Sequence, residues 1–259
     1  MHKGALQDGQ DSVFSMARVG VTVSLSTVLI FAAIGCGRSG DQVAREMVKA
    51  GGLLREGKLD EAERAYEGIV ERWPRTARAH ANLAYLRYEA EDYKAAVCRA
   101  QRALEIEPGL VEALTTLGNA CLKMGPEHED RGVEALEQAA AKSPSASKAR
   151  TTLAAVYYRR GNLAAATANA RAALTGDPSS AEARYNLAVA LEAQAERSAA
   201  AGSDGEATRL RSEALDHFRR FAKGGGSAEA KEARRAIERL EPLVGGSGEG
   251  KGTGDEPEP

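Results

Sequence analysis

The sequence predicts an all-α solenoid of about five helix–turn–helix pairs closed by one terminal capping helix. Three observations predict it. Pro74, Pro108, Pro144 and Pro178 recur every 34 to 36 residues, a period that marks stacked helix pairs rather than one compact core. A Leu-small pair recurs on the same period: Leu83-Ala84, Leu117-Gly118, Leu153-Ala154 and Leu187-Ala188. Between these marks Ala and Leu fall three or four residues apart, as Ala96, Ala100, Ala103 and Leu104 do. That spacing gives each helix an apolar stripe. A stripe built mostly of Ala is too thin to bury itself within one pair, so each pair needs its neighbour.

The unit Ala77–Leu110 shows the pattern most clearly. Its first helix is expected from Arg78 to Ala90 and its second from Tyr93 to Ile106, stopping before Pro108. Gly57, Gly125 and Gly161 stand where the first helix of a pair should end, and Gly takes the left-handed cap conformation without a Cβ penalty. Asp60 with Glu63, and Ser179 with Glu182, have capping-box spacing. Pro178 after Asp177 cannot continue a helix. The copy at Val43–Thr76 is degenerate, an end repeat. The third copy carries an insertion, Pro126-Glu127-His128-Glu129-Asp130. The fifth begins at Ala181 and is extended between Ala193 and Arg211, and its second helix resumes with Ala214, Phe218 and Phe221. After Gly224-Gly225-Gly226, the segment from Ser227 to Leu240 alternates charge with Ala228, Ala230, Ala233 and Ile237, a polar end helix of the kind that keeps a solenoid soluble. Gly245 onward is Gly-rich and acidic and is expected to be disordered.

The pattern Asn82-Leu83-Ala84, Ala96, Ala103-Leu104, Pro108 resembles a tetratricopeptide repeat. So do Leu117-Gly118, Gly125, Pro144, and Leu153-Ala154, Tyr157, Gly161, Ala166, Ala173-Leu174, Pro178. The resemblance covers about three quarters of the chain and implies a right-handed superhelix whose first helices line a concave face. Lys49, where the family usually has Leu, marks the degenerate first copy. The inward positions implied are Asn82, Tyr85 and Tyr88, then Thr115, Thr116, Asn119 and Lys123, then Thr151, Thr152 and Tyr158, and then Tyr185, Asn186 and Val189. Tyr supplies large contact area at low entropic cost, and Asn offers both donor and acceptor to a peptide backbone. These residues predict a protein or peptide partner in the groove. The alternative is that they are solubilising residues that touch nothing. Thr stands where the chaperone-binding members carry Lys, which disfavours a chaperone tail. Self-association, through stacked ends or paired grooves, is a further expectation.

The N-terminal region reads differently. Val19–Gly35 is 17 uncharged residues, preceded by Arg18 and ending Ala33-Ile34-Gly35-Cys36. This resembles a bacterial lipoprotein signal, in which Cys36 would be lipidated and become the first mature residue. The departure is Ala33, where Leu is commoner. Met16 is a plausible start, because Asp8 and Asp11 are unusual in a signal. An uncleaved or conventionally cleaved signal, or an ordinary membrane anchor, is the alternative, and the run is short for a span. Gly37 after the Cys implies the outer membrane of a two-membrane bacterium, facing the periplasm. The resulting division is 1–35 signal, 36–42 linker, 43–243 solenoid and 244–259 tail. Fully extended, the linker would reach about 20 Å. A lipid-anchored repeat chain of this kind is similar to the pilotins of type IV pili, which assist assembly of an outer-membrane secretin. Other envelope adaptors share the same two features.

Composition narrows the function classes. With 35 basic and 37 acidic residues the formal net charge is −2, so there is no basic footprint for nucleic acid. No phosphate loop, nucleophile signature or HExxH motif is present, and no catalytic residue, cofactor or metal is expected. His128 among Glu127, Glu129 and Asp130 reads as a solvated acidic turn rather than a metal site. His80 reads as a satisfied core histidine and His217 as surface. Cys98 and Cys121 read as small buried hydrophobes, although an oxidising periplasm permits a disulfide.

Overall fold

The computed structural model describes residues 25–144, 146–223 and 228–245, with side chains from Gly40 onward. The chain divides into two compact units, residues 1–45 and 46–259. The described residues form eleven α-helices and no strand. They pair as α1 (Leu25–Arg55) with α2 (Leu59–Arg72), α3 (Ala77–Glu89) with α4 (Tyr93–Ile106), and α5 (Val111–Met124) with α6 (Glu129–Lys142). Next come α7 (Ser147–Arg159) with α8 (Leu163–Gly176), α9 (Ala181–Ala200) with α10 (Asp204–Ala222), and a final α11 (Ala228–Gly245). A short 3₁₀ turn, Pro126–His128, joins α5 to α6. In the second unit each helix packs on the one before and the one after. First helices of neighbouring pairs also touch, α3 on α5, α5 on α7 and α7 on α9.

The core is a chain of small clusters, each shared between neighbouring pairs. Ala77, Ala81, Ala103, Leu110 and Ala113 tie α3, α4 and α5. Ala84, Ala96, Ala100, Leu117 and Ala120 extend the same seam. Larger side chains close the ends: Tyr66 and Ile69 beneath α3, and Leu191, Leu215 and Phe218 between α9, α10 and α11. Stability is therefore built from nearest-neighbour interfaces, as the thin stripes require. Helices α5 and α6 approach closely. A Cβ on Gly118 would lie 2.5 Å from Leu136 Cγ and 2.8 Å from the Gly132 carbonyl.

Turn chemistry is mostly as expected, with two corrections. Gly57 and Gly161 both take φ +74° after α1 and α7. The equivalent position after α3 is Glu91, at φ 59° without glycine. The Asp92 and Asn162 side chains each accept from a backbone N–H three residues on, at 3.1 Å, and start α4 and α8. The Asp60 capping box does not form. Helix α2 begins at Leu59 after Lys58 with no side-chain cap, which leaves Asp60 in the first turn, where it favours the helix dipole instead. The Ser179 capping box is displaced by one residue. Ser180 Oγ accepts from the Ala183 N–H, while Ser179 donates its N–H and hydroxyl to the Asp177 carboxylate.

The extension of the fifth pair becomes helix. Whereas α3 to α8 have 13 or 14 residues each, α9 has 20 and α10 has 19. Ala195, Ala207 and Leu210 of the added turns are buried. The expected linker 36–42 is a further difference: these residues are helical, within α1. No proline interrupts this stretch, and extending a formed helix needs only propagation even across Gly37 and Gly40. Helix α11 runs two residues beyond the expected boundary at 243, with Pro242 inside its last turn. No helix among the described residues is long and apolar enough to cross a membrane. The side chain of Cys36, and residues 246–259, lie outside the described residues.

Four side chains differ from expectation. Cys121 is buried, but Cys98 is exposed, and neither is in a disulfide. His217 is half-buried with Nδ1 enclosed and unpartnered rather than on the surface. Glu129 and Asp130 start α6 and pair with Arg160, each at 2.7 Å, so this end of the insertion is an inter-helix brace instead of a free acidic turn.

Candidate functional site

The first helices α3, α5, α7 and α9 form one inner row, and α11 follows them. Along this row two cavities of about 860 Å³ and 480 Å³ share Tyr88, Asn119, Ser147, Lys148 and Asp177, so they form one groove. The groove runs from Arg78 on α3 to Glu182 on α9. A third cavity of about 430 Å³ lies between α7, α9 and α11. Helical spacing explains the lining: Asn82, Tyr85 and Glu89 lie three or four residues apart on α3, and therefore on one face.

The expected inward residues divide into three groups. Asn82, Tyr85, Tyr88, Thr115, Asn119, Lys123 and Thr152 line the main groove, where they are half-buried or, for Lys123, exposed. Thr116 and Thr151 also border it, but they are 7 % and 4 % exposed. Each is adjacent to an inward Thr, and neighbours on a helix point about 100° apart, so only Thr115 and Thr152 present themselves. Tyr158, Tyr185, Asn186 and Val189 wall the third cavity. Tyr158 is exposed. Tyr185 packs on Phe218 and Phe221, with centroids 6.1 Å and 5.0 Å away, and Val189 packs against the same core. Asn186 Nδ2 donates to the Thr151 carbonyl at 3.1 Å and bridges α9 to α7. The last three are thus as much structural as available.

The groove polar groups differ in how far the chain satisfies them. Thr115 donates to Val111 O at 2.8 Å and Thr152 to Lys148 O at 3.2 Å. Their methyl groups remain as contact surface. Asn119 Oδ1 is buried and has no hydrogen-bond partner, and a buried polar atom left unpaired is costly. Burial raises the phenol pKa of Tyr85, and the neighbouring Glu89 adds to the effect. Tyr88 is raised by burial first, then by Tyr93, Glu89, Glu182 and Tyr85. At the other end Tyr185 is raised by burial and then by Glu232, Glu229, Tyr158 and Glu192. For both Tyr88 and Tyr185 burial is the leading cause, and nearby acids add to it.

Sequence reasoning missed the rest of the lining. Glu89, Glu107, Glu112, Asp177 and Glu182, together with Arg78, Lys123 and Lys148, carry its charge. Of these only Lys123 was expected. Several sit in the first turn of an inner helix or in the turn just before it, a register that a search confined to helix centres passes over. Among the described residues, no group of His, Cys, Asp and Glu could hold a metal ion. His80 Nε2 lies 3.0 Å from the Pro74 carbonyl, and its buried Nδ1 has no partner. This is a core histidine satisfied at one nitrogen only.

A row of paired helices with a polar, tyrosine-bearing inner groove defines a helical-repeat binding scaffold, and nothing in it points to catalysis. The tetratricopeptide repeat profile matches residues 49–110, 120–180 and 151–208, more than half of the chain. The chain belongs to the tetratricopeptide repeat family. Among solved structures it is similar to pilF of Pseudomonas aeruginosa, at 18 % identity and TM-score 0.60, covering 79 % of this chain and 91 % of that one. It is similar also to a MamA protein, at 20 % identity and TM-score 0.52, covering 73 % and 98 %. A third is YrrB, described as a tetratricopeptide protein with an unusual peptide-binding site, at 21 % identity and TM-score 0.50, covering 72 % and 88 %. These identities speak for the fold alone. No curated protein matches the sequence.

Proposed function

We propose that this chain is a lipid-anchored scaffold of a bacterial envelope that grips an extended segment of a protein partner in its concave groove. The observation that carries the reading is the continuous groove spanning α3 to α9, with Tyr85 and Tyr88 on one wall and Asn119 in the lining shared by its two halves. An extended peptide brings backbone N–H donors and side chains in alternation, which is what such a groove can use. The anchor is Cys36, whose preceding sequence resembles a lipoprotein signal, and the location is the periplasmic face of the outer membrane. Within that class we favour a pilotin that positions a secretin. The support is the lipoprotein-like start, five repeats, and a fold shared with pilF.

The test uses a photo-crosslinking residue placed at Tyr85 or Tyr158 in cells. Recovery of a secretin supports the pilotin reading. Another envelope client keeps the scaffold and replaces the partner. Replacing Tyr85 and Tyr158 together with Ala is expected to weaken the captured partner by ~2 kcal/mol or more. Unchanged binding with intact helicity removes the groove. Labelling with radioactive palmitate should mark the wild type and not Cys36→Ser. Label on neither rules out the anchor.

A further inference from the structure

The next inference rests on the groove reading above and names the chemistry of the occupant. The groove carries five carboxylates against three cations. Among the described residues none of these eight charges is in an ion pair. Elsewhere the chain pairs its charges across helices, as Arg87 does with Glu63 and Arg171 with Glu213, at 2.7 Å and 2.6 Å. Asp177 is held by the Ser179 N–H and hydroxyl, so what the groove carboxylates lack is a cation rather than every partner.

The same carboxylates bear on the groove phenols. Around Tyr88 every charged neighbour that shifts its titration is an acid. Two of them, Glu89 on α3 and Glu182 on α9, come from opposite walls. The same holds for Tyr185 at the far end of the inner row. Five carboxylates against three cations give the main groove a net negative charge, whereas Arg159 and Arg239 balance Glu192 and Glu232 in the third cavity, and a cleft with protein walls focuses such a field.

We propose that the groove takes an extended peptide segment bearing lysine or arginine side chains, whose cations lie against Glu89 and Glu182 while its backbone runs past Tyr85 and Tyr88. Three steps between inner helices at 8–10 Å each give a groove of roughly 24–30 Å. That length suits a segment of about eight residues at about 3.3 Å each. The chain's own C-terminal residues 246–259 carry four carboxylates and one lysine, so they match the sign of the groove and are not its ligand.

The test measures fluorescence anisotropy of the full chain with labelled ten-residue peptides of alternating Lys-Ser, Gln-Ser and Glu-Ser. The Lys-Ser peptide is expected to bind at least about tenfold more tightly than Gln-Ser at low salt, and to lose most of that advantage at high salt. Glu-Ser should not bind. Glu89→Gln with Glu182→Gln should weaken the Lys-Ser peptide about threefold or more, with an unchanged circular dichroism spectrum. If all three peptides bind alike and Tyr85→Ala weakens them all, the groove stands and the charge preference is overturned. If Lys-Ser binding ignores both the carboxylate and the Tyr85 substitutions, it is adsorption elsewhere and the proposal fails. Absence of binding by any peptide overturns the proposal as well, and the groove reading falls with it only if crosslinking at Tyr85 captures nothing in cells.

Discussion

The same chemical change, Gly to Ala, should have opposite effects at two helical positions. At Gly118 the added Cβ would meet Leu136 Cγ at 2.5 Å, the Gly132 carbonyl at 2.8 Å and Leu136 Cδ2 at 2.9 Å. Leu136 is fully buried, so it cannot swing out into solvent. The Gly132 carbonyl is helix backbone, so relief requires α5 and α6 to separate. Overpacking of this kind costs ~1–3 kcal/mol, against up to ~1 kcal/mol regained in helix propensity. The net expectation is a loss of ~1–2 kcal/mol. For a unit of this size each kcal/mol moves the melting midpoint by ~2–4 °C, so Gly118→Ala should melt ~2–8 °C lower. At Gly52, inside α1, an added Cβ meets nothing within 4 Å. Reduced freedom of the unfolded chain should then stabilise by ~0.4–1 kcal/mol. Thermal melts followed at the helix signal decide the matter. A Gly118→Ala midpoint at or above wild type would refute the close α5–α6 contact and the repeat register that produces it.

Three other expectations rest on single side chains. Burial lowers the pKa of His80, and of His217, below the ordinary histidine value. The unfolded chain then binds more protons than the folded one, so stability present above about pH 6.5 is lost as pH falls toward the folded values. Denaturant midpoints should drop between pH 7.5 and 5.5, and drop less in a His80→Gln, His217→Gln double variant; equal drops would sink the assignment. Arg239 reaches from α11 to the buried Glu192 on α9, donating through two nitrogens at 3.0 Å and 2.7 Å to one oxygen. Since Arg239 is half exposed, Arg239→Met should cost ~1–2 kcal/mol rather than the full penalty of an orphaned buried charge, and amide exchange should quicken in α11 first. In a Cys36→Ser background a maleimide should label Cys98 at once and Cys121 only in denaturant, since burial both shields that thiol and raises its pKa. Two fast thiols would contradict the buried placement.

The repeat period made the helix pairs legible because proline, glycine and stripe all report the same register. Helix α4 runs Tyr93–Ile106, as its spacing predicts. The failures are local. Ser179 and Ser180 are both competent caps, and the choice fell to Ser180 because Asp177 engages Ser179. Thr115 and Thr116 are equally polar, and only helix phase decides that one faces the groove and the other the core. The acidic lining was hidden because it is assembled from different repeats: Glu89 is distant in sequence from Asp177 and Glu182, and they meet only through curvature. Nothing in the described residues bears on Cys36 as a lipid site, which keeps the support it has from the pattern Val19–Gly35.

The alanine seams bear directly on how such a groove binds. Ala77, Ala81, Ala84, Ala96, Ala100 and Ala103 beneath the Tyr85 and Tyr88 wall are buried, and Ala has no side-chain rotamer to lose. The spacing of the inner helices is then set by backbone approach rather than by side chains that can repack. Thr115 and Thr152 have already bonded their own helix carbonyls, so their hydroxyls need no rearrangement on binding. The entropic cost of association therefore falls mainly on the ligand and on the exposed Glu and Lys side chains. Ordering eight residues of an extended peptide costs ~1–2 kcal/mol each, an expense that main-chain contacts and two phenols must offset. Weak, fast and salt-sensitive binding follows from that balance, with the unpaired carboxylates raising the encounter rate more than the final affinity.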